Sequence, residues 1–525
     1  MAGMVFARPT REIARIEGPD AVHRYTRRTM LRFTVFDQHG PASEWPLRRA
    51  HVLGANDATF PAKVHFEAGH VVVRPSESRT PVALCLEFDA GKAGVLMLQT
   101  TVLQQRDEAY GLFEELARHR IKIFLEKSES WGLLDPGRAP EAFELFERAR
   151  LAFVAGFTEH DPWKAQQRQL ESIALGIRAG ELLTKVRTER ALQQRFAAQG
   201  TPRALGFRAP LEKAPDLLKQ CLSPEFDAVM LPVPWQAIEP QQGRFQWDQL
   251  DRWVVWAKAS RRAMMLGPLL DLRPGGIPGW VLPSLQDLPK LEQHLYRFVR
   301  EVVIRYAPVD PTWHIAAGVN SNEVAALTAA QMTQLVRHVA VTVRQVVPEA
   351  RVLVEASDPF GERSSADNGA IGAVQFVRML VSEGVKLSSV GIPIVMGDPA
   401  TGTRDLMRMA DMLDRFVSRN EMPILVVSAL DAPSAPRADP GAGSWHKPWA
   451  EDVQAAWAQM AFQLAISQRK VALVIWDRLR DDAGVGLRDG GLFGAGGAPK
   501  QAARSLLLAR RRIRQPLVAK ATENA

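Results

Sequence analysis

Apolar and polar positions change period along this chain, and the changes mark out its elements. From about residue 204 onward, short apolar runs alternate with longer stretches in which apolar residues return every three or four positions. The runs at 204–207, 228–233, 263–270, 313–319, 350–355, 390–395, 424–429 and 471–477 predict eight strands. Helical patterns fall at 211–221, 247–260, 288–306, 329–346, 370–383, 403–418, 451–467 and 500–513. A strand, a helix and a second strand in succession make a βαβ unit, which calls for parallel pairing. In the stretch 226–281 the loops after the strands are long and rich in Trp, Pro and Gly, while the return after the helix is short. A site at the C-terminal strand ends produces that asymmetry. The fold class predicted is α/β, with a C-terminal (β/α)8 TIM barrel over 201–515 and a tail at 516–525.

A small antiparallel β domain and a helical segment precede it. Residues 31–36, 64–66, 70–73, 82–88 and 94–102 show period two or β-branched character, punctuated by Gly40-Pro41, Gly69, Pro75 and Gly91. They predict a β domain over 1–105, irregular up to about Arg28. As a carbohydrate-binding sandwich it would stack sugars on Trp45 and Phe60; otherwise Trp45 is a plug over the core. From Asp107 the period becomes 3.6. Tyr110, Phe113, Leu116, Ile121, Phe124 and Leu125 describe one apolar face, and Phe143, Phe146, Ala149, Phe153 and Phe157 a second. Leu170, Ile173, Ile177, Leu182 and Val186 describe a third, on a helix running from 162 to 196. These make a hairpin or bundle over 106–200, whose exposed faces either pack or support self-association. The run Gln199-Gly200-Thr201-Pro202 marks the boundary into the barrel.

Composition narrows the classes. The chain has 525 residues, 46% hydrophobic and 24% charged, which suits a water-soluble protein with more than one structural unit. No run approaches the ~20 apolar residues of a membrane helix, so no membrane partner is expected. Residues 1–18 lack the continuous apolar stretch of a secretory signal. Cys85 and Cys221 stand in apolar contexts as buried free thiols, which points to the cytoplasm. The net charge of +8 concentrates only at Arg510, Arg511, Arg512 and Arg514. Without interleaved aromatics that run predicts a solvated helix face and no nucleic-acid partner. The 11 His show no metal spacing, and the glycines at 490, 491, 494, 496 and 497 lack the Lys-Ser/Thr of a phosphate loop. Neither metal nor cofactor is expected.

The sequence also carries a family resemblance. Trp235-Gln-Ala-Ile-Glu239-Pro240, Gly243, Phe245, Trp247, Asp251 and Pro278-Gly-Trp280-Val281 resemble glycoside hydrolase family 10, the xylanase family. So do Trp476, Asp481, Gly490-Gly-Leu492-Phe493 and Pro499-Lys500; together the likeness covers roughly 204–513. It implies endo-1,4-beta-xylanase chemistry, in which two carboxylates about 5 Å apart act as proton donor and nucleophile on a β-linked glycan. The resemblance puts one Glu after an Asn at the end of the fourth strand and another at the end of the seventh. At the seventh stands Ala429, with Asp431 two residues on as a weak substitute, ~6.6 Å further along the strand. At the fourth, alignment on Trp313 finds Ala317-Gly318, while Asn322-Glu323 keeps the pair five residues later. Glu323 is therefore the candidate acid/base. The family's sugar-holding Glu, Asn and Lys correspond to Met230, Leu231 and Pro234, and its Trp-His pair to the region of Arg273 and Pro274. Substrate-binding candidates at predicted strand ends are Trp235, Asp271, Arg273, Trp280, Asn320, Glu355, Trp445 and Trp476. Ion pairs that merely fill the mouth are the plainer reading of the charged ones. The function expected is binding of a β-linked saccharide, with xylanase-type hydrolysis weak or lost at Ala429. The alternative is an active, diverged retaining glycosidase using Glu323 and a recruited carboxylate.

Overall fold

The computed structural model describes residues 30–54, 59–76, 80–196, 203–362, 368–418, 423–436, 440–481 and 487–514. The expected boundary at 199–202, the irregular start and the tail lie outside them.

Three helices follow the N-terminal strands: α1 (Leu112–Ser130), α2 (Pro140–Thr158) and α3 (Pro162–Phe196). The barrel strands are β1 (Leu205–Arg208), β2 (Ala228–Leu231), β3 (Ala263–Leu266, resuming at Leu270–Asp271), β4 (Thr312–Ala317), β5 (Val352–Glu355), β6 (Ser389–Val395), β7 (Ile424–Asp431) and β8 (Val471–Trp476). All pair in parallel, and β1 pairs with both β2 and β8, which closes the ring. Around it lie α4 (Asp248–Ala259), α5 (Leu288–Tyr306), α6 (Ala329–Val346), α7 (Ala373–Ser382), α8 (Leu406–Val417), α9 (Glu451–Ser467) and α10 (Gln501–Arg514). Alternation along each strand sorts its side chains. Ala228, Met230, Met265, Leu353, Val426, Leu473 and Ile475 fill the interior, while Val229, Leu231, Val354 and Val427 face the helices. At Gly206 a Cβ would lie 2.6 Å from Ile475 Cδ1 and 2.8 Å from the Ala228 carbonyl oxygen, so the closing seam requires glycine.

The pattern misreads three places. The helix expected at 211–221 is a 3-10 helix, Pro215–Cys221, because Pro215 sets a late start and seven residues remain. The third strand breaks at Gly267-Pro268, where φ is +136° at the glycine and the proline has no N–H to give the ladder. The basic run near the end is not wholly a solvated face: Arg510 is fully buried against Asp227, while Arg511 is exposed. Elsewhere local signals suffice. α6 begins in a capping box, with Gln331 N–H donating to Thr328 Oγ1 at 3.3 Å and Thr328 N–H to Gln331 Oε1 at 2.8 Å. Thr328→Ala is expected to cost about 1 kcal/mol in denaturant unfolding.

The N-terminal strands form a four-stranded sheet, a three-stranded antiparallel sheet and a two-stranded ribbon. Within the first, Tyr110–Gly111 joins Leu31–Thr34 in parallel, an exception to the expected antiparallel domain. Trp45 packs its ring against Phe88 and Phe113, with centroids 6.3 and 5.7 Å away, as the plug reading requires. Beyond it, one continuous apolar core runs from Leu31 to Ile513, so these parts and the barrel share an interior. Polar clamps accompany it. Glu181 on α3 accepts from Trp445 Nε1 at 2.7 Å and pairs with His446 at 2.7 Å, and Arg120 on α1 meets Asp405 at 2.8 Å.

Candidate functional site at the barrel mouth

Strand ends deliver the polar groups. β1 ends on Arg208, β3 on Asp271, β5 on Glu355 and β7 on Asp431, while Asp477 follows β8. Arg208 Nε donates to Asp477 Oδ1 at 2.5 Å. Asp271 holds Arg273 in a fork, Nε to Oδ1 at 2.8 Å and Nη2 to Oδ2 at 2.7 Å, and its Oδ1 also accepts the Arg273 backbone N–H at 3.1 Å. That leaves Arg273 Nη1 3.5 Å from Glu355 Oε1. Glu355 is buried and accepts from Ser428 Oγ at 2.8 Å and Ser357 Oγ at 3.3 Å. Two arginines and three carboxylates thus interlock across the opening.

Charge states follow from these contacts. Burial pushes the Asp271 carboxyl up, but Arg273 outweighs it and holds the group below its ordinary value. Burial also raises Asp477, and Arg208, Arg273 and Arg478 together bring it below the usual range. Burial disfavours the Arg273 charge, yet Glu355 and Asp271 more than restore it. Beneath them His314 is buried, its value lowered to about 4 chiefly by desolvation. Asp431 goes the other way. Burial first, then the Asp477 charge, lifts it well above the ordinary value. Among the described residues no cluster of His, Cys, Asp and Glu could hold a metal ion.

The network gathers Asp271, Arg273 and Glu355, three of the predicted binding residues. Asn320 is a buried stitch: its Nδ2 donates to the Ser357 and Ile371 carbonyls at 2.8 and 2.9 Å, and its Oδ1 accepts from Ser357 N–H at 2.9 Å. Trp235 is buried, donating to Glu239 Oε2 at 2.9 Å and stacking on Phe298 with centroids 4.7 Å apart. Trp445 and Trp476 are also buried, the second donating to the Gly490 carbonyl at 3.0 Å. Trp280 alone of the four keeps a partly exposed ring. Glu323 is exposed on the loop between β4 and α6, after Asn322 with φ at 52°. Asn322 Nδ2 ties that loop to the Leu327 and Asn368 carbonyls at 3.0 and 2.7 Å. Arg208 and Ser428 complete the network, and His314 lies beneath it against the Ala316 carbonyl at 3.1 Å, without having been singled out. Their signal was a polar residue within or at the end of an apolar strand.

Two positions lack the expected oxygens. At Gly318, φ is +70° and a Cβ would lie 2.6 Å from Arg273 Cγ and 2.7 Å from Arg273 N, so Arg273 fills the space a carboxylate would need. Ala429 sits at a bulge in β7. Val426 and Ala429 pair with Gly391 and Pro393, and Val427 and Leu430 pair with Val474 and Trp476, three steps against two on both sides.

No family model and no curated protein matches the chain. The chain is similar in fold to family 10 xylanases. Xylanase B from Clostridium stercorarium F9 aligns at 16% identity over 60% of this chain and 98% of its own, with a TM-score of 0.46. A family 10 protein from Paenibacillus barcinonensis aligns at 18% identity over 61% and 96%, with a TM-score of 0.45. Xylanase 10B from Thermotoga maritima aligns at 12% identity over 62% and 98%, with a TM-score of 0.44. No helix among the described residues is long and apolar enough to cross a membrane.

Proposed function

We propose that this barrel protein binds a β-linked saccharide and that xylanase-type hydrolysis is lost. The observation that carries the reading is the missing pair of carboxylates. Retaining hydrolysis needs an ionised oxygen to attack the anomeric carbon and a protonated one about 5 Å away. The methyl group of Ala429 has no oxygen to offer, and Arg273 crosses Gly318 where the resemblance puts the donor. Of the remaining acids of the mouth, Asp271, Glu355 and Asp477 are engaged by Arg208, Arg273, Ser357 and Ser428. Purified protein incubated with an aryl xylobioside is expected to release no phenol above background, and Glu323→Gln is expected to change nothing. Turnover in the ~1–1,000 s⁻¹ range of ordinary enzymes would sink the reading.

One observation favours a second reading, hydrolysis through a recruited carboxylate. Asp431 and Asp477 end neighbouring strands, and their surroundings push one toward the proton and the other away from it, the pattern of an acid and a base. Against it, Asp431 is buried beneath Gly490, where a Cβ would lie 2.4 Å from its Oδ1. Under this reading Asp431→Asn abolishes any release that is measured.

A further inference from the structure

A large opening lies away from the mouth, where the N-terminal parts meet the barrel wall. It is a cavity of about 640 Å³, within the ~300–1,000 Å³ typical of small-molecule sites. Strand Val95–Gln99 and the residues after it, α1, the loop after β5, α7 and α8 each contribute a wall. Neither the added parts nor the barrel encloses it alone.

We infer that this junction cavity is the saccharide site, and that it takes a short neutral oligosaccharide. The lining charges nearly cancel: Lys122, Arg378, Arg408 and Arg415 stand against Glu126, Asp358 and Asp411. Several of them neutralise one another. Asp411 lies 2.9 Å from Arg408 and 3.8 Å from Arg415, and also 2.8 Å from Lys127; Lys122 lies 3.3 Å from Glu126. A strongly anionic or cationic ligand would therefore find little net field. What the walls offer is a mixture of donors and acceptors, which suits hydroxyls that both give and receive. Between those groups, Val102, Ile123, Phe360 and Val374 supply apolar surface for the C–H faces of a sugar ring. The floor is buried at Gln99, Thr100 and Phe360, whereas the rim is exposed at Val102, Lys122, Gln375 and Arg378. The side chains of Gln375 and Arg378 make no hydrogen bond or ion pair with any described residue. At the barrel mouth, by contrast, Arg208, Asp271, Arg273, Glu355 and Asp477 are consumed by their own network.

The ligand class is taken from the saccharide reading, so the test must separate the two ideas. Isothermal titration calorimetry with xylotriose and with cellotriose on the whole chain is expected to show binding of at least one of them. Val102→Trp, which fills the entrance, and Arg378→Ala, which removes a donor at the rim, are each expected to weaken it at least tenfold. Both positions are exposed, and an unchanged melting temperature would verify that the variants fold. Wild-type affinity in both variants, with binding lost in Arg273→Gln, overturns the cavity as the site and leaves the saccharide reading standing. Failure of the wild-type chain to bind either sugar overturns both.

Discussion

Arg510→Ala is expected to lower the free energy of unfolding by about 3–5 kcal/mol, the range for stripping one partner from a buried ion pair. Arg510 on α10 is fully buried, its Nε 2.6 Å from Asp227 Oδ2 and its Nη2 2.8 Å from Oδ1. Asp227 Oδ2 also accepts the backbone N–H groups of Ala204 and Leu205 at 2.9 and 3.1 Å. One carboxylate therefore joins the last helix to the starts of β1 and β2, at the end of the barrel opposite the mouth. Without the guanidinium, that charge stays out of water with only two amide donors. The next residue supplies the control: Arg511 is exposed and meets Glu225 at 3.3 Å, so Arg511→Ala is expected to cost under about 1 kcal/mol. Guanidinium denaturation of both variants decides it, and equal midpoints would show that the buried pair does not hold the ring closed.

Acidification from pH 7 to pH 4 is expected to remove about 3 kcal/mol through His314 alone. Its folded value of about 4 lies below the ordinary 6.5, so the unfolded chain takes up the proton first. Stability is then fully present above pH 6.5 and falls as the pH drops toward 4. Burial is the main cause, and the positive charges of Arg208 and Arg273 add to it against the pull of Glu355 and Asp271. Asp271 and Asp477, held below their ordinary value, lose their contribution only at still lower pH. His446 has the opposite sign. Glu181 raises it against the effect of burial, so its contribution is present below pH 6.5 and lost as the pH rises through the folded value. Denaturant unfolding at a series of pH values is expected to show the slope between 6.5 and 4, and His314→Leu to flatten most of it. His51 and His294, each also lowered chiefly by burial, act in the same direction. An unaltered slope in His314→Leu would assign the acid sensitivity elsewhere.

Much of the candidate site was legible only as a set of positions. Alternation placed Asp271, Glu355, Asp431 and Asp477 at strand ends, since each strand's direction and length are written locally. It did not say that Arg273 would reach from the end of β3 across Gly318 to Glu355. Nor did it say that Asn322-Glu323 would be a loop staple with its carboxylate outward. Tryptophans that looked available for stacking are mostly buried. The partners of Trp235 and Trp445, Phe298 and Glu181, lie 63 and 264 residues away in sequence.

The order of strands and helices, the limits of α3, α5, α6 and α9, and the loss of an oxygen at Ala429 are properties of the sequence by itself. Each rests on residue identity or on a repeat within a few turns of chain, and burying one face is enough to enforce them. The tertiary structure alone decided which charges neutralise one another, that Arg510 lies inside and Arg511 outside, and that the N-terminal parts share the barrel's core and enclose a cavity with it. Those outcomes depend on contacts between distant segments and on how far each group is withdrawn from water, and no local period encodes either.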